Sequence, residues 1–308
     1  MIKKIVIARS YGFCMGVKRA IQIAEKTAEE VGEPVTILKE IVHNEAVVED
    51  FRQKGVGQAM QVSDVDKGTL IISAHGVAPS VKEEAKSRGL NVVDATCPLV
   101  TQIYDIIEKV VPQDYHIIHF GDRNHDETTG VLGHAEDRIT LISKVEELDQ
   151  YPEWTDRKLG LTVQTTMGLE DFVGFQQAAK EKWPHIEVFD TICNATNKRQ
   201  TAITDMAPDV GMILVVGSET SANSKRLAHI SRLLCGKGEL ISSDLDIKQE
   251  WFTGDNESVE RVGISAGAST PDFLVQAVIR RLTNLSGGQA EVTRQEKKKK
   301  KRIARRAS

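Results

Sequence analysis

No stretch of this chain approaches the ~20 consecutive apolar residues of a membrane span. A secretory leader is also missing. Met1-Ile2-Lys3-Lys4-Ile5-Val6-Ile7-Ala8-Arg9 has too short an apolar run and no small-residue cleavage site. A cytoplasmic protein with no membrane partner is therefore expected. No two cysteines form a C-x-x-C pair, which excludes a zinc ribbon and a thioredoxin-type motif. Neither G-x-G-x-x-G nor G-x-x-x-x-G-K-S/T occurs, so the usual dinucleotide and P-loop signatures are missing. Any redox chemistry must then draw its electrons from an external donor.

The composition is otherwise ordinary. Hydrophobic residues make up 40% and charged residues 27% of 308, which excludes fibrous and wholly disordered chains. At roughly 100–200 residues per domain, two or three domains or repeats are expected. The net charge of −4 conceals an asymmetry. Residues 294–308 hold nine Lys/Arg and one Glu, a charge of +8, which leaves −12 on residues 1–293. An acidic body is not an electrostatic nucleic-acid binder, and no nucleic-acid partner is expected. Lys297 to Arg302 is a run of like charge that should repel itself and stay disordered.

Short β-rich runs alternate with amphipathic helical patterns along the body. Strands are expected at Ile2–Ala8, Val35–Leu38, Thr69–Ser73, Asn91–Asp94, Tyr115–Phe120, Arg138–Ile142, Lys158–Val163, Glu187–Asp190, Gly211–Gly217, Glu239–Ile241 and Arg261–Ser265. Helices are expected at Met15–Val31, Ser80–Arg88, Leu99–Val111, Leu169–Trp183, Ser221–Leu234 and Pro271–Leu282. This alternation predicts an α/β fold with mostly parallel sheets.

The four cysteines are informative. Asn91-Val92-Val93-Asp94-Ala95-Thr96-Cys97 is a strand, then D-x-x-C, then a helix opening at Pro98. Glu187-Val188-Phe189-Asp190-Thr191-Ile192-Cys193 repeats the arrangement. Ile5-Val6-Ile7-Ala8 leads through a short loop to Cys14, again before a helix. The spacing predicts three related α/β units: 1–96 with Cys14, 97–192 opening at Cys97, and 193–288 opening at Cys193. A basic disordered tail over 289–308 follows. A helix N-terminus favours the thiolate at each such turn. Cys235 breaks the pattern and is read as a small buried apolar residue. Three converging thiolates suit zinc with an open site, or a [4Fe–4S] cluster with one iron free of protein ligands. Spacing alone does not choose between them.

Polar motifs gather at the ends of the same strands. Val42-His43-Asn44, Ala74-His75-Gly76 and Asn124-His125-Asp126-Glu127 each place a histidine there. Two loops, 217–224 and 265–271, are rich in Gly and Ser, follow strands and open helices. Such loops aim hydroxyls and backbone N–H groups at an anion, and equally serve as plain helix caps at Ser221 and Ser269.

Taken together, these motifs resemble one family. Gly12-Phe13-Cys14-Met15-Gly16-Val17, Val42-His43-Asn44, Ser73-Ala74-His75-Gly76-Val77, Asp94-Ala95-Thr96-Cys97-Pro98-Leu99-Val100, Gln164-Thr165-Thr166 and Ser265-Ala266-Gly267-Ala268-Ser269 are similar to the 4-hydroxy-3-methylbut-2-enyl diphosphate reductases. The resemblance runs from about residue 2 to residue 288 and excludes the basic tail. It implies three pseudo-symmetric α/β units in a trefoil around one [4Fe–4S] cluster, held by Cys14, Cys97 and Cys193 with one open iron. It implies that Glu127 and Thr165 are catalytic. Substrate binding falls on His43, His75, His125, Thr165, Thr196, Ser221, Asn223 and Ser269. The implied activity is reductive dehydroxylation of an allylic diphosphate to isopentenyl and dimethylallyl diphosphate, the last step of the non-mevalonate pathway. A flavodoxin or ferredoxin is the implied electron donor. Two departures stand out: Ala222 replaces a second serine of the diphosphate loop, and Thr128-Thr129 precede Gly130 where an acidic residue is common. The rival readings are a zinc-dependent hydrolase using three cysteines with a Glu–His pair, and an RNA-associated iron–sulfur sensor using the tail.

Overall fold

The computed structural model describes residues 2–252 and 259–296. Among these, the strands form three all-parallel sheets. In space the first sheet runs Gly57–Ala59, Val35–Leu38, Thr69–Ile72, Asn91–Asp94. In chain order that is second, first, third, fourth. The second sheet repeats this order with Ile139–Ile142, Tyr115–Phe120, Lys158–Val163 and Glu187–Val188. The third repeats it with Gly238–Ile241, Met212–Val216 and Arg261–Ala266, and its fourth position is filled by Lys4–Ile7.

The contiguous thirds expected from cysteine spacing therefore need correction. The N-terminal strand does not belong to a unit spanning 1–96. It pairs in register with the third unit, Lys4 opposite Arg261 through Ile7 opposite Ile264. The boundary at 289 also moves. Glu291–Arg294 is a strand that pairs with Lys4–Ile7 on its other side. Gln295 anchors its end, donating to the Ala202 carbonyl and accepting from the Arg9 N–H. The basic run 297–302 lies outside the described residues.

The physical basis is that of parallel sheets covered on both faces. Thr69–Ile72 and Met212–Val216 are buried throughout, so they read as continuous apolar runs rather than alternating ones. Within the second of these, Met212, Leu214 and Val216 pack toward helix Asp272–Leu285 through Val275, Val278 and Leu282. Ile213 and Val215 face Ala202, Ile203, Met206, Leu227 and Ala228 on the opposite side.

Every expected strand is present within two residues of its limits, and every expected helix within three. Two edge strands were not foreseen, Gly57–Ala59 and Glu291–Arg294. Both lack apolar alternation and join their sheets through backbone pairing, with few side-chain contacts such as the Lys4–Glu291 ion pair. Helices Glu45–Gln53 and Asp126–Leu132 also add to the expected set.

The strand order positions the site. With the second strand on one side of the first and the third on the other, a crevice opens between the carboxyl ends of the first and third strands. In the first unit those ends lead to His43 and His75. In the second they lead to His125, Glu127 and Thr165. In the third they lead to Ser221, Asn223 and Ser269. The fourth strands lead to Cys97, Cys193 and Cys14 respectively.

Candidate functional site

Each of the three cysteines is the residue immediately before a helix: Cys14 before Met15–Glu30, Cys97 before Pro98–Val110, Cys193 before Asn194–Met206. All three have extended backbone there, so each sulfur projects where the strand ends and the helix begins. Pro98 suits the first helical position because its missing N–H has no helical partner to lose. All three thiols are free, partly exposed, and line one cavity. Gly16 marks how closely two of them approach. A Cβ at Gly16 would lie 2.5 Å from Cys97 Sγ and 3.9 Å from Cys14 Sγ, so only glycine leaves room in that first turn. Burial pushes the Cys97 thiol up, and Cys14 and Cys193 push the same way against the Leu99 and Val100 N–H groups. At this cysteine burial outweighs the expected thiolate-favouring helix end.

Glu127 lines the same cavity and is the one buried carboxylate among the described residues. It sits in the first turn of helix Asp126–Leu132. The Thr165 N–H donates to its Oε1 and the Thr165 hydroxyl to its Oε2, both at 2.7 Å. Desolvation raises its pKa to about 7, against the two Thr165 hydrogen bonds and helped by Asp122. A carboxyl balanced near neutrality can both hold and release a proton.

The imidazoles form a second cluster at the cavity wall. His43 and His75 stack with ring centroids 4.0 Å apart, and His125 stands edge-on to both at 5.5 and 5.9 Å. Burial lowers the His75 pKa well below the usual value, and His43, His125 and Lys39 push it further. Burial, then His43, lowers that of His125 to about 4. Both rings are therefore neutral at pH 7 in the free protein. The Nδ1 of His125 accepts from the Glu127 N–H at 3.1 Å, which leaves the ring proton on Nε2. A diphosphate would reverse the electrostatics and draw protons onto these rings.

The third unit offers neutral donors. Ser221 caps helix Ala222–Cys235 through the Ser224 N–H. The Ser269 hydroxyl donates to the His43 carbonyl at 2.8 Å, tying the third unit to the first. Both polar ends of Asn223 are buried without a hydrogen-bond partner. Orphaned amide atoms cost ~1–3 kcal/mol each, so they point to a ligand. Thr196, also buried, joins from the Cys193 helix.

All twelve residues singled out in the sequence line this one cavity. Cys235 does not. Its Sγ donates to the Ser231 and Lys237 carbonyls at 3.0 and 3.1 Å beside the third unit's core. A wider depression of about 740 Å³ adjoins the cavity, sharing His43, His125 and Ala222 with it. It is the approach, and the smaller cavity holds the convergent groups.

Three participants escaped the sequence reading. Lys39 pairs with Asp126 beside the imidazoles. Gln164 Oε1 accepts from the Asp122 N–H at 2.7 Å and shapes the loop that carries His125. Arg199 is buried behind the cysteines. Lys39 and Arg199 sit in no motif, and Gln164 was quoted in one without being given a role. Gln164 adjoins Thr165, and Arg199 follows Cys193 by six residues, which is no signal without the helix.

The donor set decides which group could reside here. Soft thiols cluster at one end without a carboxylate or imidazole among them, which suits zinc or an iron–sulfur group. His43, His75 and Asp126 also offer ligand atoms within 4.8 Å of one another. His43 Nδ1 is instead engaged by Glu40 at 3.0 Å and Asp126 by Lys39, so two of the three already have partners. Among the described residues no helix is long and apolar enough to cross a membrane.

A family model described as LytB protein matches residues 5–283. A 4-hydroxy-3-methylbut-2-enyl diphosphate reductase of Methylibium petroleiphilum is 38% identical over 287 residues, covering 92% of this chain and 86% of its own length. One from Haemophilus influenzae is 38% identical over 294 residues, covering 94% and 92%. The solved E-1-hydroxy-2-methyl-but-2-enyl-4-diphosphate reductase of Plasmodium falciparum superposes with a TM-score of 0.89 at 30% identity, covering 97% of this chain and 94% of that one. A second solved reductase, titled the terminal enzyme of the non-mevalonate pathway, superposes with a TM-score of 0.66 at 33% identity, covering 92% and 100%. With its fold and nearly its whole length matched in this way, the chain belongs to the LytB family.

Proposed function

We propose that this chain is an iron–sulfur oxidoreductase that reduces 4-hydroxy-3-methylbut-2-enyl diphosphate to isopentenyl and dimethylallyl diphosphate. Cys14, Cys97 and Cys193 would hold one [4Fe–4S] cluster with one iron lacking a protein ligand. When bound, the cluster supplies electrons one at a time and a Lewis-acidic iron for the substrate hydroxyl. The reaction consumes two electrons and two protons. The C–O bond breaks and its oxygen leaves as water; a C–H bond forms at either end of the allyl unit. A one-electron carrier of the flavodoxin or ferredoxin class is the donor.

The chain's own residues bind, orient and deliver protons. Asn223, Ser221 and Ser269 offer neutral hydrogen bonds to the diphosphate. His43, His75 and His125 offer hydrogen bonds that gain charge as the anion arrives. With Thr196 they fix the allylic alcohol toward the thiol end. Once protonated at Oε2, Glu127 becomes the donor to Thr165 Oγ1, 2.7 Å away, and the hydrogen bond of the ionised form is reversed. Passing the proton through Thr165 Oγ1 brings it into the cavity without admitting bulk water.

One observation carries the reading: three thiols from three units open into the same cavity as the buried carboxylate Glu127. The test is iron and sulfide analysis of anaerobically purified protein, followed by reduction of the allylic diphosphate with an artificial donor. A brown protein holding four irons and four sulfides, producing both isomers, is expected. A colourless protein holding one zinc would favour the hydrolase instead.

A further inference from the structure

Arg199 is 3% exposed and makes no ion pair with any carboxylate among the described residues. Its Nη1 donates to the Ala195 carbonyl at 2.8 Å, in the first turn of the Cys193 helix. Its Nη2 donates to the Gly12 carbonyl, two residues before Cys14. Its Nε is buried without a partner. The guanidinium thus stitches two cysteine-bearing segments together. Stitching does not need a charge, since an amide could reach two carbonyls. A buried cation facing no anion is strongly destabilising, because water is removed and nothing replaces it. The acidic groups acting on Arg199 are the thiols of Cys14 and Cys193.

Resting on the reading above, we infer that Arg199 is the fixed counter-charge of the iron–sulfur cluster, raising its reduction potential by stabilising the reduced form. Each electron that enters adds one negative charge to the cluster. A buried cation nearby favours that state over the oxidised one, with little screening by solvent. Arg199 holds the backbone on either side of two cysteines and is not among the residues lining the cavity that carries the imidazoles. Its effect belongs to the potential and not to diphosphate affinity.

The test is a redox titration of substrate-free holoprotein with dithionite, followed by electron paramagnetic resonance, for wild type, Arg199→Gln and Arg199→Lys. Arg199→Gln should titrate at a more negative potential. Arg199→Lys, which keeps the charge and loses the fork, should stay close to wild type. Equal potentials for Arg199→Gln and wild type would overturn the inference, and so would equal shifts for Gln and Lys. Thermal unfolding of the apoproteins gives a second readout. Without a cluster the cation has its two carbonyl contacts but no counter-charge, and an amide can reach the same carbonyls, so apo Arg199→Gln should melt no lower than wild-type apoprotein. A lower melting temperature, or failure to fold, would mean that Arg199 is only a structural tie. A wild type showing no reducible iron–sulfur signal would break the proposed function itself, not this inference.

Discussion

The first and third units place different chemistry at equivalent points of one scaffold. Beyond its first and third strands, the first unit carries His43 and His75. The third carries Asn223 and Ser269 at the corresponding ends. One side of the cavity can therefore change charge, and the other offers neutral donors whose capacity does not depend on pH. The parallel-sheet framework fixes where a group stands. The residue type at that point sets whether it answers to the substrate's charge or only to its shape.

The largest effect should come from the positions the units share. Cys97→Ser is expected to lose the cluster and essentially all turnover, seen as loss of brown colour, iron and sulfide. An active brown variant would refute its ligand role. Next is Glu127→Gln, which should keep the cluster and substrate binding while kcat falls roughly 10²–10⁴-fold, the usual worth of a proton donor. The same substitution has a stability signature. Because the folded pKa of Glu127 is raised to about 7, its contribution is full below the unfolded value and is lost as pH rises through 7. Apo Glu127→Gln should therefore gain stability over apo wild type above pH 7, by up to ~3 kcal/mol, and lose that advantage by pH 4. Melting curves at the two pH values decide it.

The contrast between the two sides can be sharpened with pyrophosphate as probe. His75 and His125 are held neutral in the free protein, so an anion that draws protons onto them is expected to bind more strongly as pH falls from 8 to 6. Asn223→Ala should weaken binding about 10-fold or more at every pH and keep that slope. His75→Asn should flatten the slope. Isothermal titration in buffers of different ionisation enthalpy would count the protons directly, and equal slopes for both variants would erase the distinction. The smallest effect is expected from Ala222→Ser. One more hydroxyl on the neutral side should lower KM about two- to tenfold, the worth of a single net hydrogen bond. An unchanged KM would show that the hydroxyl does not reach the diphosphate.

Much of this molecule was legible in its residues because its strands are buried on both faces. Val35–Leu38, Tyr115–Phe120 and Lys158–Val163 begin and end where their sequences predict. The edge strands Gly57–Ala59 and Glu291–Arg294 were not legible, since an edge needs only backbone pairing and no particular side chains. The cysteines and histidines announced themselves through repeated position at strand ends. Arg199 did not, because its meaning lies in having no carboxylate partner among the described residues.

The sequence by itself determined the local pieces: which runs become strands, where helices begin, and which thiols, imidazoles and hydroxyls stand at their junctions. Only the tertiary structure decided that the strand Lys4–Ile7 completes the unit formed by residues 212–266, and so brings Cys14 to face Cys97 and Cys193. It also decided that Glu127 titrates near 7 and that His75 is neutral. The reason is common to all three. Strand pairing between distant segments and removal of water from a carboxyl or an imidazole depend on what packs alongside, and that is set by the whole chain rather than by neighbours in sequence.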